Sequence, residues 1–210
     1  RVVMAYPWVK IYNPFASGGK GREETHAPAS HVAGLLSALS PHESPSQSTI
    51  LGILGFERSL SRAEVFDLIV ARVLVGSSVY GQGFILRNGN NASSNGGKNQ
   101  ISRRRMVNYL AKSLESGLRP YTSKPHTPQL RLDVKTTISA FLENEYLQGR
   151  IGTAGGTKPY AVKCDSDNNP TPVVQANQLI VDVQVSLLAP ADLIIVRLDA
   201  QQEKITTLAG

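Results

Sequence analysis

Short runs of β-branched and aliphatic residues alternate with segments of helical period along this chain, and Gly or Pro separates most of them. This alternation favours an α+β fold, with mixed sheets and helices packed on them. No apolar run approaches the roughly 20 residues that span a bilayer, so membrane insertion is not expected. With 41% hydrophobic and 18% charged residues, the chain can bury a core, and disorder is excluded as a description of the whole chain.

Helix signals occur in four segments. Apolar residues spaced by three and four positions predict helices over 28–39 and 130–147. Ser61 and Glu64 have the spacing of a capping box, in which each side chain bonds the other residue's backbone amide, so a helix should begin there. Ser102 is predicted to cap a further helix that reaches about Gly117.

Strands are predicted where short aliphatic runs lie between turn-forming residues. Alternating apolar and polar residues in the last third of the chain indicate a strand with one exposed face. The predicted strands are 2–6, 9–12, 49–54, 73–79, 83–87, 160–164, 178–187 and 192–199.

Two segments are predicted to be loops. Ala16–Glu24 contains the run GGKG, but its spacing does not match a phosphate-binding loop, so a flexible connection is expected. The polar segment Asn88–Gln100 contains too little apolar surface to order itself, which predicts a mobile loop. It includes the glycosylation sequon at Asn91, which we interpret as a chance match.

The domain prediction is a core over residues 1–190 and a C-terminal arm over 191–210. The chain begins at Arg1, and the residues after it have the composition of a domain interior. The sequence is therefore expected to be a piece of a longer protein.

The basic charge is concentrated in one segment. Between Lys98 and Arg131, eight basic residues and a single acid, Glu115, give a net charge of +7, so the rest of the chain contributes −1 to the total of +6. Such a segment fits nucleic acid or an acidic protein surface, and a solvated helix face is as good an explanation as these two together. Three arginines near the start of the predicted helix oppose its dipole, which an anionic partner would offset.

No catalytic residue, metal site or cofactor is predicted. The four histidines lack ligand spacing, and Cys164 lies in a predicted strand, where a buried inert thiol is expected. Glu143 and Glu145 are two residues apart on a helix and point in different directions, so they do not form a carboxylate pair. These observations indicate a protein that is not an enzyme.

Five motifs follow one another along the chain, at Ala27–Gly34, Ser44–Glu57, Ile101–Leu110, Tyr160–Asn169 and Ala189–Arg197. In this order they resemble the core domain of contractile-tail sheath proteins, found in bacteriophages and related injection machines. The fourth motif, YAVKCD followed by two asparagines, is similar to the family's Phe-Val-Lys-Cys-Asp and Asn. The polar loop replaces a Gly-Ala-Arg-Thr-like segment of the family, so no contact is assigned to that loop.

The resemblance implies a structural protein that polymerises helically around a tail tube and shortens to drive the tube through a host envelope. The implied partners are copies of the same chain, the tail tube protein, and the baseplate and tail terminator proteins, without direct binding of nucleic acid. The implied location is the virion tail sheath, assembled in the host cytoplasm.

Two sets of residues are expected to make contacts between subunits. The first is a strand, apolar on both faces, that adds to the sheet of a neighbouring copy: Leu193, Ile194, Ile195, Val196, Arg197 and Leu198. The second is a basic group expected to face the tube or a neighbour: Arg103, Arg104, Arg105 and Lys112. An equally weighted alternative pairs Arg104 and Arg105 internally with carboxylates such as Glu57 or Asp165.

Other functions stay open at this stage. The chain fits the sheath of a contractile bacteriocin or secretion machine as well as that of a phage. From different classes, the basic segment fits a nucleic-acid-binding module, although Tyr109 and Tyr121 are its only aromatic residues. A hydrolase with a dispersed active site is the third possibility.

Overall fold

A computed structural model describes residues 2–16, 21–153 and 155–188, and the backbone of 194–200 and 203–209. The chain divides into two compact units, which are Arg1–Arg104 with Ala189–Gly210, and Arg105–Leu188. The predicted α+β class with mixed sheets is confirmed, since helices, antiparallel strand pairs and one parallel strand pair are all present.

The first unit contains two three-stranded sheets and two helices, followed by the start of a third helix. One sheet has the order β3-β2-β4 and is antiparallel, and the other has the order β1-β5-β6, with β1 parallel to β5. In chain order the elements are β1 (Ala5–Tyr6), β2 (Val9–Asn13), β3 (Arg22–His26), α1 (Ala29–Ala38), β4 (Gly55–Phe56), α2 (Arg62–Val70), β5 (Leu74–Val79), β6 (Gly83–Leu86) and α3 (Ile101–Leu118).

Aliphatic side chains from both helical and extended segments form the core of the first unit. Leu74 and Leu86 are almost fully buried, and the polar side chain of Asn88 closes one end of the sheet. Asn88 Oδ1 accepts from Val75 N and its Nδ2 donates to Val73 O, both at 2.9 Å. The remaining buried members of this cluster are Val32, Ile50 and Ile101.

The second unit contains the rest of α3, a 3-10 turn at Arg119–Tyr121, α4 (Pro128–Leu147), β7 (Tyr160–Lys163), α5 (Thr171–Gln175) and β8 (Asp182–Val185). One face of α4 is buried, as its period predicts, and Gly149 follows the helix in the left-handed conformation (φ 69°) that favours glycine. The buried residues that form the core of the second unit are Met106, Leu110, Leu130, Val134, Ile138, Leu142, Ile151 and Tyr160.

The C-terminal segment forms a hairpin of two seven-residue strands, β9 (Ile194–Ala200) and β10 (Glu203–Ala209). Every residue of β9 pairs with a residue of β10 in an antiparallel register that runs from Ile194–Ala209 to Ala200–Glu203. The sequence analysis predicted the first of these strands and missed the second.

Several local predictions are wrong for identifiable reasons. The segment 49–54 is not a strand: only Thr49 makes a bridge, to Ile85, and Gly52 takes a positive φ of 77° that breaks the extended chain. The predicted loop at Ala16–Glu24 includes the beginning of β3. Ser102 does not cap α3, since α3 begins one residue earlier and buries Ser102.

The polar segment Asn88–Gln100 has an ordered backbone arrangement, which corrects the prediction of a mobile loop. Asn91 is 4% exposed, its Nδ2 donates to Lys98 O at 2.9 Å, and its Oδ1 accepts from Ser93 N at 2.8 Å. Polar side chains here supply the order that apolar burial supplies elsewhere. A glycan on the Asn91 amide would break the bond to Lys98 O, and the chance-match interpretation of the sequon stays a prediction.

Candidate assembly surfaces

The sheet of the second unit has only two strands, so each has one edge that no other described strand covers. β7 and β8 are antiparallel, with a register that runs from Tyr160–Val185 to Lys163–Asp182. Val162, Val183 and Val185 pack against the core cluster of this unit, whereas Ala161, Lys163, Asp182 and Gln184 are exposed. The predicted alternation of Val181–Val185 is therefore confirmed.

The outer edge of β8 presents backbone groups free to pair with a further strand. Ser186 N donates to Pro159 O at 2.7 Å, directly after the last residue of β8. Hydrogen-bonded pairs alternate with non-bonded pairs along an antiparallel ladder. Gln184 is therefore a bonded position within the sheet, and the amides and carbonyls of Val183 and Val185 point to the outer edge.

A network around Asn169 holds the connection between β7 and β8. Asn169 is 2% exposed, and its side chain exchanges two hydrogen bonds with the backbone of Ile180, at 2.8 and 2.9 Å. Its Nδ2 also donates to Asp165 O at 3.1 Å. Beside it, Asn168 Nδ2 donates to Lys163 O and to Asp182 Oδ2, which joins the last residue of β7 to the first of β8. These bonds fix the register of the sheet.

The beginning of β7 is fixed to α4 by a charged group. Tyr160 Oη donates to Glu143 Oε2 at 2.6 Å, and Lys158 Nζ lies 3.5 Å from the same oxygen. The Tyr160 hydroxyl and the Lys158 ammonium hold the pKa of Glu143 below its ordinary value. Burial, and the hydrogen bond to this carboxylate, raise the pKa of Tyr160.

The side chain of Glu145 has different partners from that of Glu143, as expected for two residues that are two positions apart on a helix. Its carboxylate is buried and accepts from Tyr109 Oη at 3.1 Å and from Arg150 Nη1 at 3.2 Å. These bonds tie α3, α4 and the residue after Gly149 together within the second unit. A buried carboxylate with a cationic partner and a hydroxyl donor is a structural anchor here.

The predicted intersubunit strand lies partly in the hairpin. Leu193 falls outside the described residues, and Ile194–Leu198 form most of β9. One edge of β9 is occupied by β10 of the same chain, and its other edge pairs with no described strand. What is available for pairing is therefore the outer edge of a hairpin, and the addition of this edge to a neighbouring copy stays a prediction.

The four predicted contact residues of the basic group lie on α3. Arg103, Arg104 and Arg105 are half-buried, and Lys112 is exposed and bonds Glu115 Oε2 at 2.8 Å. Glu115 also lies 3.9 Å from Arg119, so this part of the helix is partly neutralised. Among described residues, no ion pair joins Arg104 to Glu57, and whether Arg104 and Arg105 face inward or toward the tube stays a prediction.

Chemical sites of other kinds are not assembled in the part of the chain that the structure describes. No three potential metal ligands cluster there. Cys164 is buried, and burial raises the pKa of its thiol, which makes the thiolate unfavourable. Crossing a bilayer would take a longer and more apolar helix than any found among the described residues.

Solved structures decide which fold this is. The chain superimposes on a chain of the anti-feeding prophage baseplate with a TM-score of 0.83 and 16% identity, over 96% of this chain and 55% of that one. The contracted helical sheath of the same machine gives a TM-score of 0.81 and 17% identity, over 97% and 56%. The sheath tail protein of Listeria innocua gives 0.62 and 12%, over 98% and 44%.

The chain has the fold of contractile sheath proteins. The resemblance found in the five sequence motifs is confirmed at this level, across nearly the whole chain. No family model matches the sequence, and no curated protein matches it. At these identities the likeness shows the sheath fold alone, and the chain spans about half the length of the solved chains it matches.

The fold explains why two residues of the fourth motif are asparagines. Asn168 and Asn169 were matched by resemblance only, and they bond the two ends of the β7–β8 connection. Sequence reasoning missed Asn88, Asn91 and Tyr160 as anchoring residues. An Asn followed by Gly or by small residues signals a turn, and the local bonds of Asn91 to Ser93 and Lys98 fit that signal, whereas the partners of Asn88 lie at β5 and leave no local pattern.

Proposed function

We propose that this chain is a subunit of a contractile sheath, which polymerises helically around a tail tube and shortens to drive the tube through a target envelope. The sheath fold over nearly the whole chain carries the proposal. The machine is a phage tail in this proposal, with an extracellular injection machine as the alternative that the anti-feeding prophage likeness equally supports. The protein acts without catalysis or cofactor.

The proposed link between subunits is strand addition. The donor is the outer edge of β9, which includes Ile194–Leu198 of the predicted segment Leu193–Leu198, and the acceptor is the outer edge of β8 in a neighbouring copy. Two edges with unpaired backbone groups are supplied by one chain, so each copy both gives and receives a strand. Such a contact is heterologous and generates an open helix, which is the symmetry that a sheath requires.

Backbone pairing also suits contraction. A ladder of hydrogen bonds between copies resists separation while the cores move as rigid bodies, so subunits can repack without leaving the lattice. The partners in this proposal are copies of this chain, the tube, the baseplate and the tail terminator. The location is the assembled tail sheath of a virion, built in the host cytoplasm.

The basic group on α3 is proposed to face the tube or a neighbouring subunit. Lys112 is 80% exposed in its side chain and projects its charge to solvent despite the bond to Glu115. Exposed ion pairs are individually weak and screened by salt. Contacts of this strength release during contraction, whereas the strand link persists.

The experiment that tests the proposal is electron microscopy of the full-length protein and of a variant truncated after Ala191. The full-length protein is expected to form tubular polymers, and the truncated one to remain a folded subunit. Ala200 and Glu203 pair across two residues and so form a hydrogen-bonded pair, and the alternation along the ladder turns the amide of Arg197 to the outer edge of β9. Arg197→Pro, which removes this outer donor, should also prevent polymers. Arg197→Lys keeps the amide and the charge and should retain them. Normal tubes from the truncated protein would contradict strand addition.

A further inference from the structure

The chain contains two Asn-Gly pairs in sharply different surroundings, within one ordered segment. Asn88-Gly89 is buried, with the Asn88 side chain bonded to the beginning of β5 through Val75 N and Val73 O. Asn95-Gly96 is exposed at a turn of the same segment. In an Asn-Gly pair, the backbone nitrogen of the glycine can attack the side-chain amide of the asparagine. Glycine favours this attack more than other residues do, because it has no side chain to hinder it.

The geometry points to Asn95 as a site of spontaneous deamidation. Asn95 Oδ1 accepts from Gly97 N at 2.9 Å, and Asn95 O accepts from Lys98 N at 2.9 Å. These two bonds use the amides after Gly96 and close the turn. Among the described residues, Gly96 N has no hydrogen-bond acceptor, so this amide is the one available as a nucleophile.

The bond from Gly97 assists the reaction. When Gly96 N loses its proton and attacks Asn95 Cγ, negative charge develops on Oδ1, where the Gly97 amide already donates. A backbone donor placed on the oxygen that becomes charged lowers the barrier, as in an oxyanion hole. Water protonates Nδ2, and collapse of the intermediate breaks the Cγ–Nδ2 bond, which releases ammonia and leaves a five-membered succinimide between Asn95 and Gly96.

Water then opens the succinimide at either carbonyl. The product is aspartate at position 95 or isoaspartate, in which the backbone runs through the side-chain carboxyl. Either product places a new negative charge just before the basic segment that starts at Lys98. Isoaspartate also adds one atom to the backbone of the turn. This change is expected to move the Lys98 carbonyl away from Asn91 Nδ2, which now donates to it at 2.9 Å.

The test is incubation of the purified protein at mildly alkaline pH, followed by peptide mass spectrometry and isoaspartate detection at both pairs. In the folded protein, deamidation at Asn95 is expected to be at least about tenfold faster than at Asn88, since Asn88 must first break two hydrogen bonds. In denaturant the two rates should converge. Equal rates at both sites in the folded protein, or a folded Asn95 slower than the denatured one, would overturn the assignment.

Two variants separate this reaction from general hydrolysis. Gly96→Ala adds a Cβ into open space, with no atom within 4 Å, so the turn is kept while the nucleophile is hindered. Its rate at Asn95 should fall, with Asn88 unchanged. Asn95→Gln should yield no isoaspartate at this site, because its longer side chain requires a larger ring. An unchanged rate in Gly96→Ala would show that Gly96 N is not the nucleophile.

Discussion

Asn169 and Ile180 exchange two hydrogen bonds, from Asn169 Nδ2 to Ile180 O at 2.9 Å and from Ile180 N to Asn169 Oδ1 at 2.8 Å. The asparagine side chain takes the place of a neighbouring strand for this one residue, eleven positions away in sequence. It thereby sets where β8 starts and which of its groups point outward. The candidate acceptor edge therefore depends on a buried polar side chain as well as on the valines that pack against the core.

Replacement of Asn169 should destabilise the second unit. Asn169→Ala leaves the buried backbone groups of Ile180 unpaired, at an expected cost of about 1–3 kcal/mol in the free energy of unfolding. Asn169→Asp keeps the acceptor but turns a buried carboxylate oxygen toward Asp165 O and Ile180 O, which now accept from Nδ2, so it should cost at least as much. Urea unfolding measures both. Asn108→Ala on the exposed face of α3 is the control, and an equal effect at Asn108 would contradict the role given to Asn169.

The stability of the fold should fall in acid partly through Glu143. Its pKa is lowered in the folded state by the Tyr160 hydroxyl and by Lys158. Its contribution is thus complete above the ordinary pKa of 4.5 and is lost as pH falls through the lower folded value. The difference in unfolding free energy between the wild type and Tyr160→Phe should therefore be larger at about pH 7 than at about pH 3.5.

The matched control for that titration is Glu143→Gln, which cannot ionise. In the Glu143→Gln background, the Tyr160→Phe difference should not depend on pH across the same range. A pH-dependent difference that persists in this background would place the titrating group elsewhere.

Cys164 should react slowly in the folded protein. Its thiol is buried, and burial raises its pKa, so the thiolate that attacks disulfide reagents is rare. The reaction with an aromatic disulfide reagent should be fast in denaturant and limited by local opening in water. Equal rates in the two conditions would show that the thiol is accessible in the native chain.

The capping box at the start of α2 should make a measurable contribution to stability. Ser61 Oγ accepts from Glu64 N at 3.3 Å, and Glu64 Oε2 accepts from Ser61 N at 2.8 Å. Ser61→Ala should lower the free energy of unfolding by about 1 kcal/mol. Ser59→Ala, at an exposed position before the helix, should leave it unchanged. Similar losses for both substitutions would argue against a specific cap.

The basic group can be tested by charge reversal. Arg103→Glu with Lys112→Glu should weaken salt-sensitive attachment of the full-length protein to purified tube protein, while the urea midpoint changes little. Attachment is read by co-sedimentation. If the midpoint falls and attachment does not, Arg103 or Lys112 supports the subunit itself and the tube-facing role fails.

Local chemistry made some elements predictable. The capping box of α2 and the buried stripe of α4 each follow from side chains within one helix, so spacing alone reveals them. Residues at the ends of β5 and β6 likewise match the prediction within one position, because aliphatic runs bounded by turn residues leave few alternatives.

Other elements depend on partners distant in sequence. β3 reads REETH and has no apolar signal, and it forms because β2 offers a backbone edge to it. The run at 49–54 is apolar, yet Leu51 is 79% exposed and only Ile50 is buried. The polar segment Asn88–Gln100 is ordered by side-chain bonds to backbone groups, which Asn91 and Asn95 make within the segment and Asn88 makes to Val73 and Val75, and no periodicity shows them. From the sequence alone, neither the basic group on α3 nor the outer edge of β8 can be distinguished from ordinary solvent-exposed surface.

Amide hydrogen exchange at Val183 and Val185 tests strand addition most directly. In the isolated subunit both amides face the open edge of β8 and should exchange rapidly, while Gln184 N, bonded within the sheet, is protected. In polymers of the full-length protein, Val183 and Val185 should become protected and Gln184 should stay so. Rapid exchange of Val183 and Val185 in well-formed polymers would contradict the account.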